Sequence, residues 1–204
     1  GIFARLAAEA ASKGLEPPTL LALLKHPLFR LGHASGALKH AIETLELALL
    51  RGTRPQAGTA GLARDFDRFR AELKKLRSRE TSSLHASEPR AKLRDDELDQ
   101  AQALIAALQK ALAPLEVMGA SKPYDFAELA LCHREALIAL SSDQNGVAIA
   151  FEQAQGAALS AAFDELLAEQ KPSGLMVQLG DYPDVFQTAY VDRMVRRGES
   201  ASAQ

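Results

Sequence analysis

Apolar residues recur every three or four positions along most of this chain, and this spacing constrains its fold more than any other feature. Between Leu62 and Leu76 the apolar positions step by 4, 3, 4 and 3, through Phe66, Phe69 and Leu73. Residues at this spacing lie on one side of an α-helix, which has about 3.6 residues per turn. The pattern therefore predicts an all-α fold.

The composition also favours helices over strands. Of the 204 residues, 38 are Ala and 32 are Leu, whereas Val, Ile and Thr number 6, 5 and 6. Ala and Leu lose little side-chain freedom in a helix, and β-branched residues are the ones enriched in strands. We expect an irregular multi-helix domain of about seven to eight helices with a sizeable core.

Glycines and prolines mark the ends of the predicted helices. Gly14 is expected to end a first helix, Pro17 and Pro18 to open a second, and Pro27 to set a boundary at Lys25. Further helices are predicted over 35–51, 62–76, 95–114, 121–141 and 147–170, and a last one begins at Pro183.

Some of these boundaries depend on particular side chains. Asp95 or Asp96 is expected to cap the helix that Pro114 closes. Ser121 is expected to start the next helix. The short apolar stretch 175–179 is expected to lie extended.

The stretch 77–94 has few apolar residues, several serines and Pro89, which together predict a long loop. This loop divides the chain. The expected organisation is a helical half with a basic strip over 1–79, a loop or linker over 80–94, an acidic helical half over 95–197 that packs with the first half as one domain, and a disordered tail over 198–204.

Basic residues are concentrated in the middle of the chain, although the formal net charge is only -2. Residues 64–94 hold ten basic and five acidic side chains, whereas 95–192 hold four basic and sixteen acidic ones. Long cationic side chains on a helix end and a loop can reach a phosphate backbone. The alternative is a solvated helix face, the more common origin of such a charge run. The candidate nucleic-acid contacts are Lys25, Arg30, Arg64, Arg68, Lys74 and Lys75.

Four common catalytic and cofactor motifs are absent from the sequence. It has no GxxxxGK[ST] phosphate loop, GxGxxG turn, HExxH zinc helix or GxSxG nucleophile turn. Cys132 and His133 are adjacent, so on a helix they point about 100° apart and do not form a nucleophile–base pair. The lone cysteine forms no disulfide within the chain, which fits a reducing cytoplasm.

Two other groups of residues resemble metal sites. His26, His33 and His40 are spaced for one helix face, but Pro27 and two glycines interrupt that helix. A helix cap favoured by the helix dipole explains a cluster of carboxylates better than magnesium binding does; these are Asp95, Asp96, Glu97 and Asp99. We predict no catalytic, cofactor-binding or metal-ligating residue and no small-molecule substrate.

The sequence predicts neither a membrane segment nor a secretory signal. No charge-free apolar run approaches the roughly 20 residues of a membrane helix, and no basic segment leads into an apolar one. The first residue is Gly1, and Ile2, Phe3 and Leu6 already follow a helical pattern. We expect a fragment of a longer cytoplasmic protein with no membrane partner.

Two runs of sequence resemble a known protein family. They are LLALLKHPLFRLG at 20–32 and ELALLRGTRPQAGTAGL at 46–62. Both resemble the B subunits of the bacterial AddAB helicase-nucleases, in their alphaproteobacterial form. The opening IFARLAAEAA and the closing YPDVFQTAYVDRMVRR are similar to the flanks of that region, whereas 80–180 is matched only by its helical character.

The resemblance implies a helical insertion like the 2B subdomain of superfamily 1 helicases. The parent complex unwinds and resects double-strand DNA ends for recombinational repair. Its AddA-like motor subunit uses ATP and magnesium, and a nuclease domain elsewhere in the B subunit holds an iron–sulfur cluster. The family's nuclease carboxylates, cluster cysteines and phosphate-loop residues have no counterparts in this sequence. The resemblance therefore implies a non-catalytic domain, itself without a cofactor, that contacts duplex DNA or braces the motor subunit.

Two other hypotheses stay open. In one, the chain is a protein-interaction module without DNA contact, in which the acidic half or an exposed apolar stripe docks on another subunit. In the other, it is a small helical enzyme, which requires polar side chains that converge in a pocket. Nothing in the sequence proposes such side chains.

Overall fold

The described part of the chain folds into α-helices joined by turns and includes one pair of two-residue strands. A computed structural model describes residues 1–52, 54–168 and 173–191. Most of these residues are helical, so the predicted all-α multi-helix fold is confirmed. The helices are α1 (Ile2–Ser12), α2 (Pro17–Leu24), α3 (Lys39–Leu45), α4 (Gly58–Arg77), α5 (Asp95–Glu116), α6 (Phe126–Ser141), α7 (Gln153–Leu167) and α8 (182–191).

Shorter elements complete the backbone. A π-helical turn, Glu46–Leu50, continues α3, and 3₁₀ turns cover Pro89–Lys92 and Ile149–Phe151. Strand β1 (Tyr124–Asp125) pairs antiparallel with β2 (Met176–Val177). Among the described helices, none combines the length and the hydropathy that crossing a bilayer requires.

The core forms around α5, which packs against α1, α3, α4 and α6. Its side chains Leu104, Leu108 and Leu112 are at most 2% exposed and follow one another at four-residue spacing. This spacing places them on one side of the helix, where neighbouring helices cover them. Helices from both predicted halves contribute to this core.

The end of α5 also holds the start of α4. The Thr59 backbone N–H donates to Glu116 Oε1 over 2.8 Å, and the Thr59 hydroxyl donates to the second oxygen of that carboxylate. A carboxylate in this place satisfies a free N–H of the first turn and interacts favourably with the helix dipole. Farther along, Arg70 Nη2 of α4 lies 2.7 Å from Asp99 Oδ1 of α5. Together these contacts fix which side of α4 faces α5.

The segment 80–94, predicted to be a loop, packs onto the core. Leu84 and Leu93 are each 7% exposed. The 3₁₀ turn lies between them. The tail predicted over 198–204 lies outside the described residues.

Both ends of α5 differ from the prediction. Arg94, not an aspartate, occupies the N-cap, and its backbone N–H donates to Glu97 Oε2 over 2.8 Å. The predicted aspartates instead fill the first turn, where the helix dipole favours them. Pro114 does not close the helix, which continues through two more residues. Leu112 and Leu115 on either side of Pro114 are buried, so packing keeps this last turn helical.

Two helices begin later than predicted because of local turns. α3 does not begin at 35, since Gly36 has a φ of +78°, outside the helical region. α7 does not begin at Val147, because Asp143 Oδ1 accepts the Val147 N–H over 3.0 Å and closes a turn there. The helix starts at Gln153 after a 3₁₀ turn, and its predicted end at 170 lies outside the described residues.

Asp125, not Ser121, sets the start of α6. Its Oδ1 accepts the Ala127 N–H over 2.9 Å, as a helix N-cap does. The same side chain accepts the N–H groups of Ser173 and Gly174, at 3.0 and 2.9 Å. It therefore also fixes the chain just before β2, which lies within the stretch predicted to be extended.

A fully buried histidine links three helices. His133 of α6 has Nε2 2.9 Å from the Ala4 carbonyl oxygen and Nδ1 3.0 Å from the Tyr182 hydroxyl. A carbonyl only accepts, so Nε2 carries the proton and Nδ1 accepts from the tyrosine. Burial lowers the pKa of His133 from 6.5 to about 3. The ring is therefore neutral in the folded protein.

We predict that this histidine makes stability depend on pH. Between pH 6.5 and 3 the unfolded chain binds a proton at His133 that the folded chain does not. The free energy of unfolding should therefore fall as the pH is lowered from 6.5, by at most about 1.4 kcal/mol per pH unit. Urea denaturation at several pH values measures this slope, which should be smaller in His133→Gln. A His133 ring signal that titrates near pH 6.5 in the folded protein would contradict the prediction.

Gly156 permits the close approach of α7 to the preceding 3₁₀ turn. A Cβ atom at this position would lie 2.4 Å from the carbonyl carbon of Phe151. This is a backbone atom, so it cannot rotate away as a side-chain end can. The absence of a side chain at Gly156 is therefore what lets the Phe151 backbone pack against α7.

Replacement of Gly156 by Ala should destabilise the protein. Ala is favoured over Gly inside a helix by about 1 kcal/mol, but the clash with Phe151 should outweigh this and give a net loss of roughly 1–3 kcal/mol. Thermal or urea denaturation measures the difference. Gln155→Ala, at the exposed neighbour, is the matched control and should change stability little. A Gly156→Ala protein more stable than the parent would refute the close approach.

Candidate nucleic-acid interface

Four of the six predicted contact residues lie on the solvent side of α4. The side chains of Arg64, Arg68 and Lys75 leave the helix within about 40° of one another, whereas that of Lys74 leaves it about 80° from Arg64, toward Arg70 and Arg77, with which it lines a cavity. All four are exposed, whereas the opposite side of α4 carries its buried apolar residues. We call these four residues the α4 outer face.

Two of these cations are free of acidic partners. Arg64 and Lys74 form no ion pair with any residue that the structure describes. Arg68 Nη1 lies 3.1 Å from Asp65 Oδ1, and Lys75 Nζ lies 2.6 Å from Glu72 Oε1. The bond to Glu72 raises the pKa of Lys75. Asp65 and Glu72 therefore offset part of the positive charge of the α4 outer face.

Glu72 also ties the segment 80–94 to α4. Its Oε2 accepts the Ser83 N–H over 2.7 Å and the Ser82 hydroxyl over 3.1 Å. The hydrogen bond from Lys75, together with these bonds, lowers the pKa of Glu72 to about 2. The carboxylate is therefore ionised at neutral pH and holds the segment beside the α4 outer face.

We predict that Glu72→Gln loosens this segment. The side-chain amide of Gln is a weaker hydrogen-bond acceptor than a carboxylate. The protection factor of the Ser83 backbone N–H against hydrogen exchange should therefore fall about tenfold. Exchange measured by NMR or mass spectrometry on the 204-residue chain tests this. Glu80→Gln, a nearby exposed acid, is the control and should leave Ser83 unchanged. Equal protection in Glu72→Gln and the parent would contradict the role of Glu72.

Other basic residues of the segment 64–94 hold the fold together. Arg77 Nη1 lies 2.6 Å from Asp95 Oδ1, and its Nη2 donates to the Leu93 carbonyl oxygen. Arg94 Nε lies 3.0 Å from Asp96 Oδ1. These contacts join the end of α4 and the following segment to the start of α5. The charges of Arg77 and Arg94 are therefore paired with acidic residues of the protein itself, as expected for a structural role.

Lys25 and Arg30 lie apart from the α4 outer face. Both line a cavity of about 540 Å³ beside the end of α2 and the start of α3, and the described lining includes no residue of α4. Lys25 Nζ lies 2.5 Å from Glu46 Oε2, and Arg30 Nη1 donates to the Phe29 carbonyl oxygen over 3.1 Å. The six predicted contacts therefore form two groups, not one surface.

A second cavity, of about 340 Å³, adjoins α4 and brings Arg68 together with Arg54 and Arg90. Neither of the latter two was among the predicted contacts. Arg54 lies in an irregular segment before α4 and Arg90 in a 3₁₀ turn. In such segments no helical period indicates where a side chain points, so only the clustering of basic residues around Arg90 gave a signal.

The residues considered for catalysis or metal binding do not assemble into a site. Cys132 is partly buried, and burial raises the pKa of its thiol. His133 bonds to Ala4 and Tyr182, as described above, and not to Cys132. Within the described ranges, no group of three or more His, Cys, Asp or Glu residues is placed to hold a metal ion.

Comparisons with protein-family models, curated proteins and solved structures found no match to this chain. Membership of the AddB family therefore stays a prediction from the two sequence runs. Function has to be inferred from the α4 outer face and the cavities described above.

Proposed function

We propose that this chain is a non-catalytic helical accessory domain of a DNA double-strand-break-processing helicase-nuclease subunit. In this role the α4 outer face contacts the phosphate backbone of duplex DNA during end resection for recombinational repair. The AddA-like motor subunit is the protein partner, the ATP and iron–sulfur chemistry belongs to other parts of the complex, and the complex acts in the cytoplasm. The sequence resemblance supports the biological setting, and the α4 outer face supports the DNA contact.

The observation that carries the DNA contact is the placement of Arg64, Arg68 and Lys75 on one exposed side of a 20-residue helix, with exposed Lys74 on its flank. The side chains of Arg64 and Lys74 are free to bind phosphate, since they have no acidic partner in the described part of the chain. Such contacts are electrostatic and carry no base specificity, because they reach only the backbone. The domain would thus position duplex DNA without reading its sequence.

Charge reversal on the α4 outer face should weaken duplex binding. With Arg64→Glu and Lys74→Glu combined, we expect the affinity for a blunt duplex to fall at least tenfold. The number of counterions released on binding, which the dependence of affinity on salt concentration reports, should decrease by about two. Fluorescence anisotropy with labelled duplex and single strand, at about 50 and 200 mM salt, gives both quantities.

The matched control reverses two charges outside α4. Lys110→Glu with Lys122→Glu changes the net charge by the same amount but alters exposed residues of the acidic half. This variant should lose much less affinity than the α4 variant. Binding that does not depend on salt, or an equal loss in both variants, would refute a specific role of the α4 outer face.

A second candidate function, a protein-interaction module without DNA contact, is favoured by the outer side of α6. Leu131 and Ile138 lie seven positions apart on this side and are 47% and 42% exposed. Glu128 and Glu135 lie on the same side and are exposed as well. Exposed apolar side chains rimmed by charge are typical of docking surfaces. No duplex binding at either salt concentration would favour this function over the first.

A further inference from the structure

Three arginines from different segments meet at the 340 Å³ cavity beside α4. Arg54 comes from the irregular segment before α4, Arg68 from α4 itself and Arg90 from the 3₁₀ turn that follows. The volume lies in the range of about 300–1,000 Å³ that small-ligand sites occupy. Three side chains that each carry a permanent positive charge thus border one ligand-sized space.

Most hydrogen-bond donors of these arginines are unused. Arg54 Nη2 lies 3.2 Å from Glu16 Oε1, and Arg68 Nη1 lies 3.1 Å from Asp65 Oδ1, but neither contact has hydrogen-bond geometry. Arg90 donates through Nε to Glu88 Oε2 over 2.7 Å. Within the described part of the chain, each of the three guanidinium groups thus has one carboxylate contact, of which only that of Arg90 is a hydrogen bond.

The arginines that hold the fold together differ clearly from these three. Arg70 donates to both Gln102 and Asp99, and Arg77 donates to Asp95 and a backbone carbonyl. Their guanidinium groups are thus occupied by acceptors of α5 and the segment before it. The donors at the 340 Å³ cavity are left for an acceptor from outside the protein.

The two carboxylates in the wall of this cavity are Asp65, which is ion-paired with Arg68, and Glu72, and both also accept hydrogen bonds from other groups. Asp65 Oδ2 accepts the Gln56 N–H over 2.7 Å. Glu72 accepts from Ser83 and from Lys75, as described above. Their charges therefore offset those of the arginines only in part, and their main hydrogen bonds leave the arginine donors unoccupied.

Apolar side chains form another part of the wall and position Arg90. Leu84 and Phe69 are buried, and the Arg90 guanidinium carbon lies 5.8 Å from the centroid of the Phe69 ring. The aromatic ring and Glu88 hold this guanidinium in place before any ligand binds.

We propose that this cavity binds a phosphate group through Arg54, Arg68 and Arg90. A guanidinium group presents paired N–H donors that match the oxygens of phosphate, and its charge is not lost at any physiological pH. The phosphate belongs either to a DNA strand on the adjoining α4 outer face or to a free phosphate compound. The first source rests on the proposed function, whereas the second does not.

Titration of the 204-residue chain with sodium phosphate tests the site, with sodium chloride at equal ionic strength as reference. NMR signals of the arginine Nε–H groups report each side chain separately. We expect saturable shifts at Arg54, Arg68 and Arg90 with phosphate alone, and the same small response to both salts at Arg70 and Arg77. No saturable shift, or equal shifts at all five arginines, would overturn the proposal.

Two substitutions separate binding from folding. Arg54→Gln removes an exposed side chain without a hydrogen bond, so the fold should persist while phosphate affinity falls about tenfold. Arg64→Gln is the matched control, because Arg64 is exposed on α4 but does not line the cavity, and it should retain the parent affinity. An unchanged affinity in Arg54→Gln, or an equal loss in both variants, would overturn the proposal.

Addition of blunt duplex to the phosphate-loaded protein identifies the source of the phosphate. Release of phosphate from the three arginines assigns the cavity to a DNA strand, whereas a duplex bound beside retained phosphate assigns it to a free phosphate compound. Phosphate binding without any duplex binding would refute the proposed function and leave the cavity site standing. Duplex binding without phosphate binding would refute the cavity site and leave the proposed function standing.

Discussion

Burial of the apolar side of α5 is the interaction on which the rest of the structure depends. This helix packs against four others, and its leucines lie at the centre of the core. Its end also supplies Glu116, which holds the start of α4, and its first turns supply the acids that bind Arg70 and Arg77. Since α5 contacts α4 along its length, it sets the rotation of α4 about its own axis. That rotation leaves the α4 outer face in solvent.

The basic residues of α4 therefore have two different roles. Arg70 and Arg77 face α5 and form short ion pairs with its acidic residues, so they contribute to the fold. Arg64, on the same helix, faces away from α5, whereas Lys74 lies between the two sides and lines a cavity with Arg70 and Arg77. Neither Arg64 nor Lys74 forms an ion pair among the described residues. A count of charges along the sequence does not separate these roles, because both kinds of residue lie in one run. The helix rotation separates them, and the proposed DNA contact follows from it.

Helical periodicity identified the helices correctly but misplaced several boundaries, and each error has a local cause. Apolar spacing found α4 and α5 because their buried sides follow the period closely. The start signal at Ser121 was wrong because Asp125 is the N-cap, and this role depends on its hydrogen bonds to Ala127 and to distant Ser173. The end predicted at Pro114 was wrong because helix propensity alone omits the packing of Leu115. Boundaries set by side-chain bonds or by packing need the folded chain.

The sequence by itself determined that this protein is helical and where its positive charge is concentrated, because both properties belong to residue types and their spacing. It also placed Arg64, Arg68, Lys74 and Lys75 on one predicted helix, since apolar spacing relates residues that are close in sequence. Only the tertiary structure decided which side of that helix faces solvent and that Arg54 and Arg90 meet Arg68 at one cavity. Arg54 lies in an irregular segment and Arg90 in a short 3₁₀ turn, so their side chains meet Arg68 only when α4 and the segments on either side of it pack together.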